Sequence, residues 1–103
     1  MDPNSVRFSQ SSIGPHFGEG GTIDELAEEL RAGRIRSADI PPLRLVEREG
    51  LLFTLDNRRL EAFRRAGVEI PWRMATPEEI EAEAWKFTTT NRGTSVRIRG
   101  RLQ

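Results

Sequence analysis

Cysteine is absent from the 103 residues. Disulfides, thiolate nucleophiles and cysteine-ligated metals are therefore excluded. Histidine occurs once, as His16, so the usual nitrogen and sulfur ligands of zinc are nearly missing. Any Ser-His-Asp chemistry would have to run through that one imidazole. No apolar run approaches the roughly 18 residues that a membrane-spanning helix requires. The opening stretch MDPNSVRFSQ lacks the basic and apolar blocks of a secretory signal. Residues 1–5 read as a linker or an added leader, and residues 6–103 as a single domain.

Lysine is nearly absent as well. Fifteen of the sixteen cations are arginine, with Lys86 the exception. A GC-rich coding sequence produces such a bias. So does a need for guanidinium groups, which contact phosphate or carboxylate in a bidentate way. The formal net charge is zero, so bulk electrostatics does not announce a nucleic-acid binder. The distribution is uneven. Acidic residues gather in 24–29 and 78–83, whereas 92–101, RGTSVRIRGR, is locally basic.

Hydrophobic residues make up 36% of the chain, lean but sufficient for a two-layer fold. Residues 6–8 alternate as a short strand does, and the Ser- and Gly-rich stretch 9–21 reads as a loop. Thr22 and Glu25 form a capping box ahead of an amphipathic helix over 23–32, which stops at Gly33. LRLVER and LLFTL, joined by a Glu-Gly turn, predict a β-hairpin over 43–55. A helix over 57–66 ends at Gly67, and VEIPW, 68–72, reads as a strand that Pro71 places at an edge. Thr76, Pro77 and Glu79 start a third helix with Ile80, Ala84 and Phe87 as its buried stripe. A last strand spans 94–100, with Val96 and Ile98 inward. The expected class is α+β, a small mixed sheet with three helices.

The densest polar cluster, TLDNRRLEAF at 54–63, falls where a strand hands over to a helix. The first amides of a helix lack internal acceptors and carry partial positive charge, which makes an anion site. Arg58 and Arg59 add guanidinium donors at the same spot. Asp56 or Asn57 could hold a divalent cation there. Equally, Asp56 reads as an ordinary N-cap beside solvated arginines.

The stretch IPPLRLVEREGLLFTLDNRRLEAFRRAGVEIPW, preceded by TIDELAEELRAG, resembles the core of the ParB/sulfiredoxin superfamily. With the opening VRFSQSSI, the PPLRL strand and LDNRRL in this order, the chain is most similar to ParB-like C-terminal domains of bacterial polymorphic toxins of the Rhs type. That likeness spans residues 6 to about 99. It implies an effector domain delivered within a larger protein and acting in the target-cell cytoplasm. A nuclease activity on nucleic acid or nucleotide is implied, with interbacterial competition as its setting and an immunity protein as partner. Family members bind nucleoside triphosphate with the arginines at this helix start, and an acidic residue helps hold magnesium. Here Asn57 fills the place of that glutamate and Asp56 that of the preceding glycine. Sulfiredoxin-type chemistry requires a cysteine that this chain lacks.

On this reading the catalytic candidates are Asp56, Arg58, Arg59 and His16, the last as a general base. Asn57, Arg7, Arg44, Ser9 and Arg97 are candidates for phosphate or nucleic-acid contact. Mg2+ or another divalent cation is the expected cofactor, on Asp56. Trp72 and Trp85 read as covers for the core, with base stacking as the alternative. Lys86 is available to neutralise a phosphate oxygen. A non-catalytic nucleotide- or DNA-binding module is the alternative function. A pure interaction domain, with Arg58 and Arg59 facing a partner's carboxylates, is a third.

Overall fold

The computed structural model describes residues 1–100 of the chain. Its elements are β1 (Arg7–Phe8), β2 (Ser12–Ile13), α1 (Ile23–Arg31), β3 (Leu43–Arg48), β4 (Leu51–Thr54), α2 (Asn57–Ala66), β5 (Trp72–Met74), α3 (Pro77–Ala82) and β6 (Arg97–Ile98). Local signals account for the central ones. Both halves of the Thr22–Glu25 capping box form, at 3.1 and 2.8 Å. Glu49 and Gly50 both take positive φ, at 53° and 79°, as the two-residue turn of a tight hairpin demands. Gly67 closes α2 in the left-handed conformation.

The main sheet runs β1-β4-β3-β5. β3 and β4 are antiparallel, β1 is parallel to β4, and β5 is parallel to β3. α1 and α2 pack together over one face. There Ile23, Ala27 and Leu30 meet Leu60, Ala62 and Phe63 above Leu43, Leu45 and Phe8. On the opposite face Val46 pairs across with Phe53, and the Phe87 ring meets Phe53 edge-on at 6.0 Å. The Arg48 guanidinium covers that ring, 3.5 Å from its centroid.

The α+β class, the three helices and the small mixed sheet are thus as expected, and four details differ. The strand expected over 68–72 forms at Trp72–Met74 instead. The Ile70 amide is taken by the Met1 carbonyl at 2.9 Å, and Pro71 has no amide to give, so the ladder starts beyond it. The third helix stops at Ala82, and a 3-10 turn over Ala84–Lys86 follows. Its expected stripe does not form: Ile80 and Phe87 are half-buried and Ala84 is exposed. The last strand shrinks to Arg97–Ile98 and pairs in parallel with β2, inside a stretch that reads as loop. Trp72 and Trp85 do not cover the core, being 46% and 67% exposed. Apart from these four, residues 1–5 lie against the domain, with Pro3 buried and Met1 bonded to Ile70.

Gly93 marks the tightest backbone approach. The Phe8 amide donates to its carbonyl at 2.9 Å. A Cβ at Gly93, which has φ 70°, would stand 2.1 Å from the Phe8 carbonyl oxygen. Gly50 has similar backbone, φ 79°, but open space around it. Gly50→Ala is expected to cost about 1 kcal/mol from backbone strain alone. Gly93→Ala should cost at least about 3 kcal/mol, because the clash adds to the strain. Urea unfolding of the two variants checks this, and equal losses would contradict it.

Candidate functional site

α2 begins where β4 ends, and its first amides have no acceptors within the helix. Asp56 occupies the N-cap position but its side chain accepts from none of the helix amides. Its carboxylate turns toward β3. Oδ2 accepts from the Arg44 amide at 2.8 Å and from Arg44 Nε at 3.1 Å. Oδ1 accepts from Arg44 Nη2 at 2.8 Å and lies 2.9 Å from Arg59 Nη2. Among the described residues, the amides of Asn57, Arg58 and Arg59 are left without acceptors.

Arg44 also reaches the segment after α3. Nη1 and Nη2 both bond Glu83, the latter at 3.1 Å. Glu83 in turn lies 2.5 Å from Lys86 Nζ, which donates to the Leu55 carbonyl at 2.8 Å. The titration behaviour follows from these contacts. Hydrogen bonding to Asp56 is the main reason that Arg44 is raised above its ordinary value, against the opposing effect of burial. Burial pushes the Asp56 carboxyl up, but the Arg44 hydrogen bonds and the Arg59 and Arg44 charges together outweigh it, so Asp56 is lowered. Glu83 is lowered for the same reasons, with Arg44 and Lys86 overcoming burial.

A cavity of about 110 Å³ lies at this end of α2. Residues 55–59, Phe17, Gly18 and Lys86 line it. Arg58 crosses to the N-terminal loop, where Nε donates to the Gly14 carbonyl at 3.1 Å. A Cβ at Gly14 would lie 3.5 Å from Arg58 Nη2 and 3.8 Å from Arg99 Nη2, so two guanidinium groups approach over this glycine. Neither Arg58 nor Arg99 has a carboxylate partner among the described residues. A larger groove, about 400 Å³, shares Phe17 and Arg59 with the cavity and is walled by Leu26, Ile35 and Ile40.

The expected site residues are placed as follows. Asp56, Arg58 and Arg59 converge on the cavity, and Lys86 joins them. The Asn57 side chain, expected to contact phosphate, is buried and fully engaged. Its Oδ1 accepts from the Ser9 and Gln10 amides, and its Nδ2 donates to Ser9 Oγ and Gln10 Oε1. Ser9 is correspondingly buried, with Oγ donating to the Thr54 carbonyl at 2.7 Å. Arg44, expected to contact phosphate, pairs with Asp56 and Glu83. Arg7 lies apart, donating to the Arg92 carbonyl, and Arg97 is exposed on β6. His16 is exposed and does not line the cavity, although its neighbour Phe17 does. Sequence reasoning did not find Glu83, because a continuous helix through 87 gives it no special place, nor Phe17 and Gly18, which carry no local signal.

A divalent cation fits poorly on Asp56, since both oxygens already accept from Arg44 and face Arg59. Among the described residues no group of three His, Cys, Asp or Glu side chains is placed to hold a metal. Searches of protein-family models, curated proteins and solved structures find no match to this chain.

Asp56 and Glu83 titrate below their unfolded values, so their contribution to stability is complete above about pH 5 and disappears as pH falls through the lower folded values. Asp56→Ala should cost about 3 kcal/mol at pH 7, as expected when one partner of a largely buried pair is removed. Its Tm should also fall less steeply than wild type between about pH 5 and pH 2. Calorimetry across that range decides; a wild-type slope in the variant would show that Asp56 carries none of the pH dependence.

Proposed function

We propose that the chain is a ParB-like effector domain that binds a phosphate ester of nucleic acid or nucleotide at the start of α2 and acts as a nuclease. One observation carries this reading. A helix start with unpartnered amides opens into a cavity flanked by Arg58, Arg59 and Lys86, and its N-cap carboxylate is neutralised by Arg44 and Arg59. Such an end attracts an anion, and guanidinium and ammonium donors strengthen the hold through charge-assisted hydrogen bonds. Fixed positive groups of this kind also stabilise charge that grows on phosphoryl oxygens during cleavage. The likeness of LDNRRLEAF and its flanks to polymorphic-toxin domains supplies the rest: delivery within a larger protein, action in a target cell, and an immunity protein as partner.

The second reading is a nucleotide-binding module without turnover. The only carboxylate lining the cavity is Asp56, already bonded, so no free general base stands there among the described residues. The adjoining apolar groove that shares Phe17 and Arg59 offers a wall for a nucleoside. For this reading Arg59 and Phe17 orient the ligand, and the amides and Arg58 hold its phosphate.

Expression of the domain in bacteria separates the readings. Wild type should arrest growth, and Arg58→Ala and Lys86→Ala should each relieve the arrest. Purified protein should cleave plasmid DNA or total RNA, and each substitution should weaken phosphate-ester binding by about tenfold, as expected for loss of one charged hydrogen bond. Binding without cleavage selects the module. Binding and cleavage that persist in an Arg58→Ala/Lys86→Ala double variant would remove the site from α2 altogether.

A further inference from the structure

The main sheet ends at β5, which among the described residues is laddered on one side only. Its ladder to β3 uses the Pro71 carbonyl, which accepts from the Leu43 amide at 2.8 Å, and the Ala75 amide, which donates to the Leu45 carbonyl at 2.8 Å. With Leu43 opposite Trp72 and Leu45 opposite Met74, this phase turns the amides and carbonyls of Trp72 and Met74 to the open side. Neither amide has an acceptor among the described residues. The Met74 carbonyl takes Arg73 Nη1 at 3.2 Å and keeps a second lone pair. One turn earlier in the strand direction the edge is already covered, because Met1 and Ile70 exchange hydrogen bonds at 2.9 and 3.4 Å. The open stretch is therefore residues 72–74.

The side chains on this stretch add to the exposure. Trp72 and Met74 share one face and are 46% and 48% exposed. An open edge is ordinarily guarded by charge, by proline or by a covering element. The charged residue of β5, Arg73, points to the other face and is held by Glu79 at 2.8 and 2.7 Å, so it leaves the indole and thioether unguarded. The same contact neutralises it.

We propose that β5 pairs with β5 of a second copy of this chain, antiparallel, about a two-fold axis at Arg73. In that register Trp72 stands opposite the second copy's Met74, and Met74 opposite its Trp72. Both outward-facing residues then form hydrogen-bonded pairs, each exchanging two N–H···O bonds. Each indole meets a thioether, a favourable contact. Arg73 meets its own counterpart in a non-hydrogen-bonded pair on the opposite face, with each guanidinium already balanced by its Glu79. A slip of one residue sets outward groups against inward ones, and a slip of two toward the N-terminus runs into Met1. The two four-stranded sheets become one continuous sheet, and the symmetry closes the assembly at a dimer.

The chain has no cysteine of its own, so one introduced thiol reports the register. Arg73→Cys brings two thiols together on residues whose Cα atoms lie about 4.5 Å apart in such a pair, within the span a disulfide bridges. Under mild oxidation it should form a covalent dimer at least about ten times faster than Glu81→Cys, an exposed control on α3. Sedimentation equilibrium of the wild type from about 10 µM to 1 mM, the regime of a small reversible interface, should show concentration-dependent dimer. Met74→Glu, with unchanged circular dichroism, should shift that equilibrium at least about tenfold toward monomer by setting a carboxylate against Trp72. A wild type that stays monomeric throughout, or equal cross-linking of the two cysteine variants, overturns the proposal.

Discussion

The carboxylate of Asp56 faces a choice between two sets of donors, and the character of the site follows from the outcome. As a cap it would bond the α2 amides and place negative charge at the positive end of the helix. Instead the Arg44 amide and guanidinium take three of its contacts. Arg44 wins because a bidentate, charge-assisted pair with an added backbone bond outweighs a single bond to a neutral amide. Burial opposes both ions, so the pair holds only because the remaining lone pairs and protons are satisfied by Arg59 and Glu83. The helix end is left bare as a consequence. Through Glu83 the same guanidinium also fixes Lys86 at the cavity wall.

Asn57 does for the opposite side of the cavity what Arg44 does for the sheet. Its four hydrogen bonds to Ser9 and Gln10 are buried or nearly so, and the Ser9 carbonyl accepts from the Thr88 and Thr89 amides. One carboxamide thus joins the N-terminal segment, the start of α2 and the C-terminal segment. Every buried side-chain polar atom in this knot has a partner, the condition under which a buried network rigidifies rather than weakens a fold. The loop from Gly14 to Gly18 is held by its own bonds, the Ile23 amide donating to the Pro15 carbonyl and the Phe17 amide to the Gly21 carbonyl, and Arg58 Nε donates to the Gly14 carbonyl at its start.

The hairpin, α1 and α2 were legible because their signals are local: alternation, a capping box, a glycine at each stop. β5 was displaced by a partner 69 residues away, Met1 on Ile70, and no local pattern announces that. β2 and β6 are two residues each, too short for alternation to register, and exist because the strand ends find one another. The tryptophans looked like core by residue type, yet an edge strand and a turn give them no second layer to enter. At the start of α2 the sequence singled out residues 56–59; the structure brings Asp56, Arg58 and Arg59 to one cavity, turns the Asn57 side chain to Ser9 and Gln10, and ties Asp56 to Arg44. Spacing tells where a side chain starts. Which of several donors or acceptors it meets depends on Arg44, Ser9 and Glu83, which lie 12, 48 and 39 residues from their partners.

The zero net charge, which argued against a polyanion as partner, also dissolves on closer inspection of where the carboxylates go. Arg31, Arg34, Arg36, Arg44, Arg65 and Arg73 each pair with a nearby Asp or Glu. Among the described residues these pairs engage carboxylates on α1, on the loop that follows it, at the start of α2 and within it, and around α3. Arg58 and Arg99 have only carbonyl and hydroxyl acceptors among the described residues, and they meet over Gly14 beside the bare end of α2. A neutral total therefore conceals a local feature: two arginines with no carboxylate partner among the described residues approach one another beside the start of α2. Potential at a surface point is set by charges within about a Debye length, roughly 8–10 Å, so the local arrangement of these groups, rather than the whole-chain sum, sets the field at this helix start.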